Sequence, residues 1–258
     1  MTRHIDLDSI ENLRDFGGYD TVCGRGLKQG LLYRSANHAY ATDADVAALA
    51  ALGISAIVDL RRPMERGREP SRRWADFNAH VIENDHEPEG SDWAVLMQKT
   101  ERVDAQWFRE DSLSFYRATP HDPRYVDLFT RYFQTLAATP GAVLVHCSAG
   151  KDRTGMICAL THHLTGVHRD DLMADFLATN HPGRMEKRIA FLGPWLRDTA
   201  GKTVSEADLA VAVSVHESYL DAAFEQITAT SGSIEAYMEQ VLGVDAALRR
   251  RIEARILG

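Results

Sequence analysis

Three cysteines in 258 residues, Cys23, Cys147 and Cys158, are too few and too unevenly spaced for a disulfide framework, and no CxxC pair has zinc-site spacing. A reducing cytoplasm is the setting this implies. Long apolar runs are missing as well: nowhere do eighteen apolar residues follow one another, so membrane insertion is not expected. The opening stretch, MTRHIDLDSIENLRDF, alternates charge with isolated apolar side chains and has no apolar core for a signal peptide, although a leaderless export route stays open. A surplus of basic charge is the third absence: 29 Lys and Arg stand against 37 Asp and Glu, a formal net charge of -8. Nucleic acid and anionic membrane surfaces need a broad excess of Lys and Arg, so neither is an expected partner and any anion site must be local. Lysine is the scarcer cation, 5 against 24 arginines. What remains is ordinary globular material, 45% hydrophobic and 26% charged, enough for one sizeable core, and a single domain over 1–258 is expected.

Strand and helix patterns alternate to about residue 165 and helical patterns alone follow, which predicts an α/β fold with a helical C-terminal part over 168–258. Asn12 to Tyr19 reads as an extended segment ending at Gly17-Gly18, and Leu31 to Tyr33 as a short strand, together like a hairpin. Thr42 and Asp45 suit a capping box for a helix that ends at Gly53. Ile54 to Leu60 is a buried strand that delivers Asp59 and Arg61 to its C-terminal end. Residues 62–73, RPMERGREPSRR, read as a charged loop, and 79–82 as another strand. Tyr125 to Leu136 has helical spacing, AVLVHC after Pro140-Gly141 is the most strand-like run, and Gly155 to Leu164 is an apolar helix. Beyond 168, four or five helices are expected, with starts at Asp170, Pro182, Ser205 (with Asp208) and Ser233. Residues 84–121 are mixed: acidic residues and Gly90 lead, then Trp93, Val95, Leu96 and Met97, then Trp107, Phe108, Leu113, Phe115 and Tyr116. So long an insertion reads either as a lid or as helices packed on the core.

The chemistry concentrates in HCSAGKDRTG, residues 146–155, where a strand passes through a short loop into a helix. Ligands of open α/β sheets collect at such strand ends. Cys147 begins an arc that closes on Arg153, and small Ser148, Ala149 and Gly150 let the backbone curl. Consecutive N–H groups at a helix N-terminus form an anion cradle, and the same field favours a thiolate. Arg153 adds a planar fork suited to two phosphate oxygens. The nucleotide-binding pattern G-x-x-x-x-G-K-[ST] is excluded, since Val145 stands for the first glycine and Asp152 for Ser or Thr. Zinc is excluded too, because His146 and Cys147 are adjacent and no second pair follows. An inert buried thiol is the reading for Cys158 and Cys23; at Cys147 the following Gly, Lys, Asp and Arg argue against it.

The pattern H-C-x-x-G-x-x-R-T, from His146 to Thr154, resembles the active site of the cysteine-dependent protein tyrosine phosphatase superfamily, and the fuller HCSAGKDRTG is similar to its bacterial and fungal tyrosine-protein phosphatase family. NLRDFGG from Asn12, LYRS from Leu32, Asp59-Leu60-Arg61 with Glu65, Ile234 to Tyr237 and Leu242-Gly243 look like that family's recurrent segments. The likeness spans nearly the whole chain outside 88–116. It implies a phosphatase-like fold, a twisted and mainly parallel central sheet flanked by helices. It implies no cofactor and no metal, and two-step hydrolysis through a phosphocysteine. The substrates it implies are phosphotyrosine proteins, with phosphoserine, phosphothreonine or phosphoinositide as side activities. Cys147 would be the nucleophile, Arg153 and the amides of Ser148, Ala149, Gly150, Lys151 and Asp152 would bind the phosphoryl oxygens, and Thr154 would hydrogen-bond the leaving sulfur. His146 would orient the loop through backbone hydrogen bonds. For the proton donor the resemblance favours Asp152; Asp59 comes second, with Asp85 and Asp122 behind. Lys151, a cation at the rim of the cradle, suits polyanionic substrates, or is simply a solvated charge. A rhodanese-like sulfurtransferase and a phosphoprotein-binding module with a dead site are the alternatives. Arg153 six positions after Cys147, with Thr154-Gly155 following, argues against the first, and an intact Cys147 and Arg153 argue against the second.

Overall fold

The computed structural model describes residues 3–87 and 93–258, so the acidic lead-in around Gly90 lies outside the described residues. Five strands, β1 (Arg14–Asp15), β2 (Leu32–Ser35), β3 (Ile54–Asp59), β4 (His80–Ile82) and β5 (Ala142–His146), form one sheet in the order β1-β2-β5-β3-β4. The last four in that order run parallel, and only edge strand β1 is antiparallel. The hairpin-like expectation for the N-terminal strands is therefore met in its pairing, Arg14 opposite Arg34, although sixteen residues separate β1 from β2. β5 is central, and its register sets His146 beside Ser35 on one side and Asp59 on the other. Three strand ends thus come level where β5 leaves the sheet.

Alternate side chains explain why β5 reads as a continuous apolar run. Val143 and Val145 join the larger core with Ala56 and Val58, while Leu144 joins the opposite one with Ile57 and Tyr33. Both faces are covered, as a parallel sheet requires. Helix α1 (Asp43–Ala51) is capped by Thr42 and Asp45 as expected, and Gly53 follows at φ +65°. The charged run 62–73 is not all loop: it contains α2 (Pro63–Arg68). Pro63 fits the first helical position, and the Glu65 carboxylate accepts the Arg62 N–H at 2.7 Å, so local capping outweighs the density of charge.

The insertion holds two helices, α3 (Trp93–Lys99) and α4 (Ala105–Ala118). After them come α5 (Pro123–Ala138) and α6 (Asp152–Thr165), which pack in the larger core. α6 begins three residues earlier than its apolar pattern suggests, which places Asp152 in the first turn. Beyond residue 168 the described chain has six helices instead of four or five: α7 (Arg169–Leu177), α8 (Pro182–Ala200), α9 (Glu206–Val213), α10 (Glu217–Ser231), α11 (Ile234–Gln240) and α12 (Ala246–Ile256). The two starts that went unread are capped by His216, whose ring accepts the Ser218 N–H, and by Asp245, which accepts that of Leu248. A third apolar cluster, built on Met97, Phe108, Leu196, Ala200 and Leu209, ties α3 and α4 to α8 and α9. This helical layer carries one wall of the cavity described next.

Candidate active site

Past His146 the chain turns through residues 147–151 into α6, and the turn depends on Gly150. Its φ is +63°, and a Cβ there would stand 2.5 Å from the carbonyl carbon and oxygen of Ser35. Only glycine fits so close a backbone approach. The Gly150 carbonyl accepts from Asn12 Nδ2 at 2.7 Å and Arg34 Nη2 at 3.0 Å. Arg34 pairs at 2.8 Å with Asp175, which also takes Arg14 at 3.0 Å, and Arg14 donates to Asn12 Oδ1. Burial by itself would raise the Asp175 carboxyl, but the two guanidiniums outweigh it and hold that group well below the usual carboxylate range. The loop is thereby anchored from the core side by a fully buried Arg–Asp–Arg cluster.

Cys147 lies at the start of the loop, 2% exposed. Across the arc, Arg153 donates Nη1 to Glu65 Oε2 at 2.6 Å and Nη2 to Glu65 Oε1 at 2.9 Å, and Ser148 Oγ donates to Oε1 at 2.5 Å. A further bond runs from Arg153 Nη1 to the Leu60 carbonyl at 3.3 Å. Against the opposing effect of burial, Arg153 draws the Glu65 carboxyl far below its ordinary value. In the sequence Glu65 stands only within a recurrent segment; the Pro63-x-Glu65 capping pattern is the signal that finds its helix, and the geometry shows its partner.

A cavity of about 340 Å³ opens over this loop. Ala149, Lys151, Asp152 and Arg153 line its floor, and the insertion supplies a wall through Trp93 of α3 and Phe108, Asp111, Ser112 and Phe115 of α4, facing Arg184, Arg188 and Phe191 of α8. Asp152 Oδ1 accepts from the Tyr116 hydroxyl at 3.1 Å, and its Oδ2 is 3.5 Å from Lys151 Nζ. The Thr154 hydroxyl is fully buried in the first turn of α6 with no hydrogen-bond partner. Asp111 and Tyr116 had no motif to reveal them, because α4 shows only the apolar spacing of a packed helix.

Several expectations need correction. Asp59 does not reach the cavity: it is 1% exposed, and Arg61 takes both its oxygens through Nε at 2.9 Å and Nη2 at 2.7 Å. Its work is to hold Arg61, which donates to the Glu69 carbonyl and Ser71 and so secures the segment after α2. Lys151 is not a rim charge. Its side chain is buried, and Nζ donates to the carbonyls of Ala212 at 2.7 Å and Ser214 at 3.2 Å, groups that the end of α9 leaves without helical partners. Burial pulls this ammonium below the usual lysine range. His146 makes one backbone hydrogen bond at the loop, Nδ1 lying 3.4 Å from the Cys147 carbonyl. Its ring stacks on His38 with centroids 4.4 Å apart, and burial lowers it to about 4, against the pull of Asp59. Asp85 pairs with Arg66 in solvent and Asp122 caps α5, neither of them lining the cavity. Among the described residues, no group of three or more His, Cys, Asp or Glu side chains is placed to share a metal ion. No helix among them is long and apolar enough to cross a membrane.

A sulfur and a guanidinium at the two ends of one tight loop, under a cavity of this size, have the makings of a phosphomonoester hydrolase. Comparison with known proteins makes the class specific: residues 5–258 match the model of the tyrosine phosphatase family, and the chain belongs to that family. It is 34% identical over 252 residues to a Cupriavidus necator protein whose name assigns it provisionally to the tyrosine-protein phosphatases, covering 96% of this chain and 88% of the relative. It is 28% identical over 277 residues to the triple specificity protein phosphatase PtpB of Mycobacterium tuberculosis, covering 98% and 99% of the two chains. The protein is a tyrosine phosphatase. Neither a sulfurtransferase nor a catalytically dead binding module finds support in these likenesses.

Proposed function

We propose that Cys147 is the nucleophile of a two-step hydrolysis, forming an S–P bond as the ester oxygen departs and giving up phosphate to water in the second step. The single observation that carries this reading is the Glu65–Arg153 pair, which fixes a guanidinium across the loop from Cys147, where it can hold two phosphoryl oxygens as charge develops. Ser148, Ala149, Gly150, Lys151 and Asp152 supply the amides between them. Thr154, with its hydroxyl unpartnered, suits the leaving sulfur. Besides Glu65, which Arg153 occupies, two carboxyls line the cavity and one of them serves the departing oxygen: Asp152, which the sequence favours, and Asp111, which it does not.

The substrate reading extends from phosphotyrosine to phosphoserine, phosphothreonine and phosphoinositides. Aromatic walls suit a phenyl ring, while Arg62, Arg68, Arg184 and Arg188 add guanidiniums around the same cavity for further phosphates. A relative named for triple specificity supports such breadth. α3 and α4 act as the cover of the site, and a reducing compartment such as the cytoplasm suits its free thiol. Hydrolysis of p-nitrophenyl phosphate by the reduced protein, unaffected by EDTA and abolished by Cys147→Ser, is the expected result. No turnover by freshly reduced protein overturns the reading.

A further inference from the structure

Phe108, Asp111, Ser112 and Phe115 follow the i, i+3, i+4, i+7 spacing of one face of α4, and all four line the cavity. A carboxyl set between two phenylalanines on the face that lines the cavity is out of keeping with plain packing. Among the described residues Asp111 has one hydrogen bond, Oδ2 accepting the indole N–H of Trp93 at 3.2 Å. Asp152 is differently placed: Tyr116 donates to one of its oxygens and the Lys151 ammonium stands by the other. A carboxyl with both oxygens facing donors is organised as an acceptor. A carboxyl held by a single neutral donor on an apolar wall is organised to keep a proton.

From this contrast we infer that Asp111 is the proton donor to the departing oxygen, and that Asp152 positions the loop and its lysine. Burial, seconded by the charge of Asp152, raises the Asp111 carboxyl above the usual aspartate range against the opposing Trp93 bond and Lys151. A carboxyl pushed toward its protonated form, beside one whose oxygens are already engaged by donors, suits the acid's role. The inference rests on the phosphatase reading and deepens it. In the first step the Cys147 thiolate forms the S–P bond, the P–O bond to the leaving group breaks, and the Asp111 proton passes to that oxygen, leaving a carboxylate. In the second, water attacks phosphorus, its proton goes to the Asp111 carboxylate, and the S–P bond breaks to restore the thiolate and release phosphate.

The test is the dependence of rate on the leaving group. A general acid matters most for a poor leaving group and is worth about 10²–10⁴-fold there. Asp111→Asn, which keeps an oxygen for the Trp93 N–H, is expected to lose about 10²-fold or more in kcat on phenyl phosphate and far less on p-nitrophenyl phosphate. Asp111→Glu restores part of the loss, and Asp152→Asn lowers both substrates alike. Equal losses on the two esters in Asp111→Asn, or a selective loss on phenyl phosphate in Asp152→Asn, overturn the assignment. The Asp152→Asn arm decides the matter even if Asp111→Asn does not fold. The unaltered enzyme, run in the same series, separates the two readings: turnover with the wrong variant pattern removes only Asp111 from its role, whereas no turnover removes both.

Discussion

Glu65 meets Arg153 end-on, hydrogen bonds of 2.6 and 2.9 Å from Nη1 and Nη2 joining the guanidinium to the carboxylate, while Ser148 donates to the same carboxylate. One side chain on α2 thus sets the aim of the arginine and ties it to the second residue of the loop. Glu65→Gln removes one of the two acceptors and lets the fork swing. A displacement of about 1 Å at such a site costs about 10²-fold in rate. Steady-state kinetics on p-nitrophenyl phosphate are expected to show a drop of that order in kcat/KM; an unchanged value would mean that Arg153 holds its aim without Glu65.

Gly150→Ala is expected to eliminate activity and lower the melting temperature together. The φ of +63° and the 2.5 Å approach to Ser35 leave no room for a methyl group. Strain of this kind costs about 1–3 kcal/mol where the backbone can yield at all. Thermal unfolding and turnover of the same preparation check it, and a fully active variant would contradict the stated role of the glycine.

Asp175→Asn separates stability from chemistry, since the residue lies behind the loop and away from the cavity lining. Removing its charge leaves Arg14 and Arg34 buried without a counter-ion, a change worth about 3–5 kcal/mol in comparable pairs. The unfolding free energy from urea titration is expected to fall by that amount, with a lower midpoint. A shift of a few tenths would show that the hydrogen bonds to Gly150 and Asn12 carry the cluster instead.

Acid should unfold the protein in two stages. His146 is lowered by burial to about 4. Between an ordinary histidine value of about 6.5 and that point the unfolded chain binds the extra proton, so stability falls as pH falls through this window. Glu65, Asp59 and Asp175 are depressed below the carboxylate range, so their contribution is whole above about pH 4 and is lost as pH falls further. Melting temperatures measured from neutral pH downward are expected to decline at once and then more steeply; a flat profile down to about pH 4 would contradict the buried neutral histidine.

The two remaining thiols should differ in reactivity. Cys23 is exposed, and a hydrogen bond with the Thr21 hydroxyl draws it down to about 7; burial pushes Cys158 up to about 12. In Cys147→Ser, iodoacetamide near neutral pH is expected to label Cys23 and spare Cys158, as peptide mass spectrometry would show.

The residues that were legible in the sequence are those whose role is local. Cys147, Gly150 and Arg153 announce themselves because a tight loop needs small residues and an anion needs amides and a guanidinium, all within one short run. The strands Ile54–Asp59 and Ala142–His146 are readable because burial on both faces leaves an unbroken apolar stretch. Asp59 misled because the end of a buried strand is where a catalytic carboxyl and a structural one look alike, and only the position of Arg61 decides. Lys151 misled because nothing in its neighbourhood of sequence foretells that carbonyls about sixty residues away receive its ammonium. Asp111 was hidden by its setting in an amphipathic helix, where part of the inward side packs in a core and part faces a ligand space.

The seat of Lys151 on the end of α9 has a mechanical side. The same residue belongs to the floor of the cavity and is fastened to the helical layer above it. Lifting that layer away along α9 would strand a desolvated ammonium with neither carbonyl. Floor and helical layer are fastened to each other by a buried charge at that end.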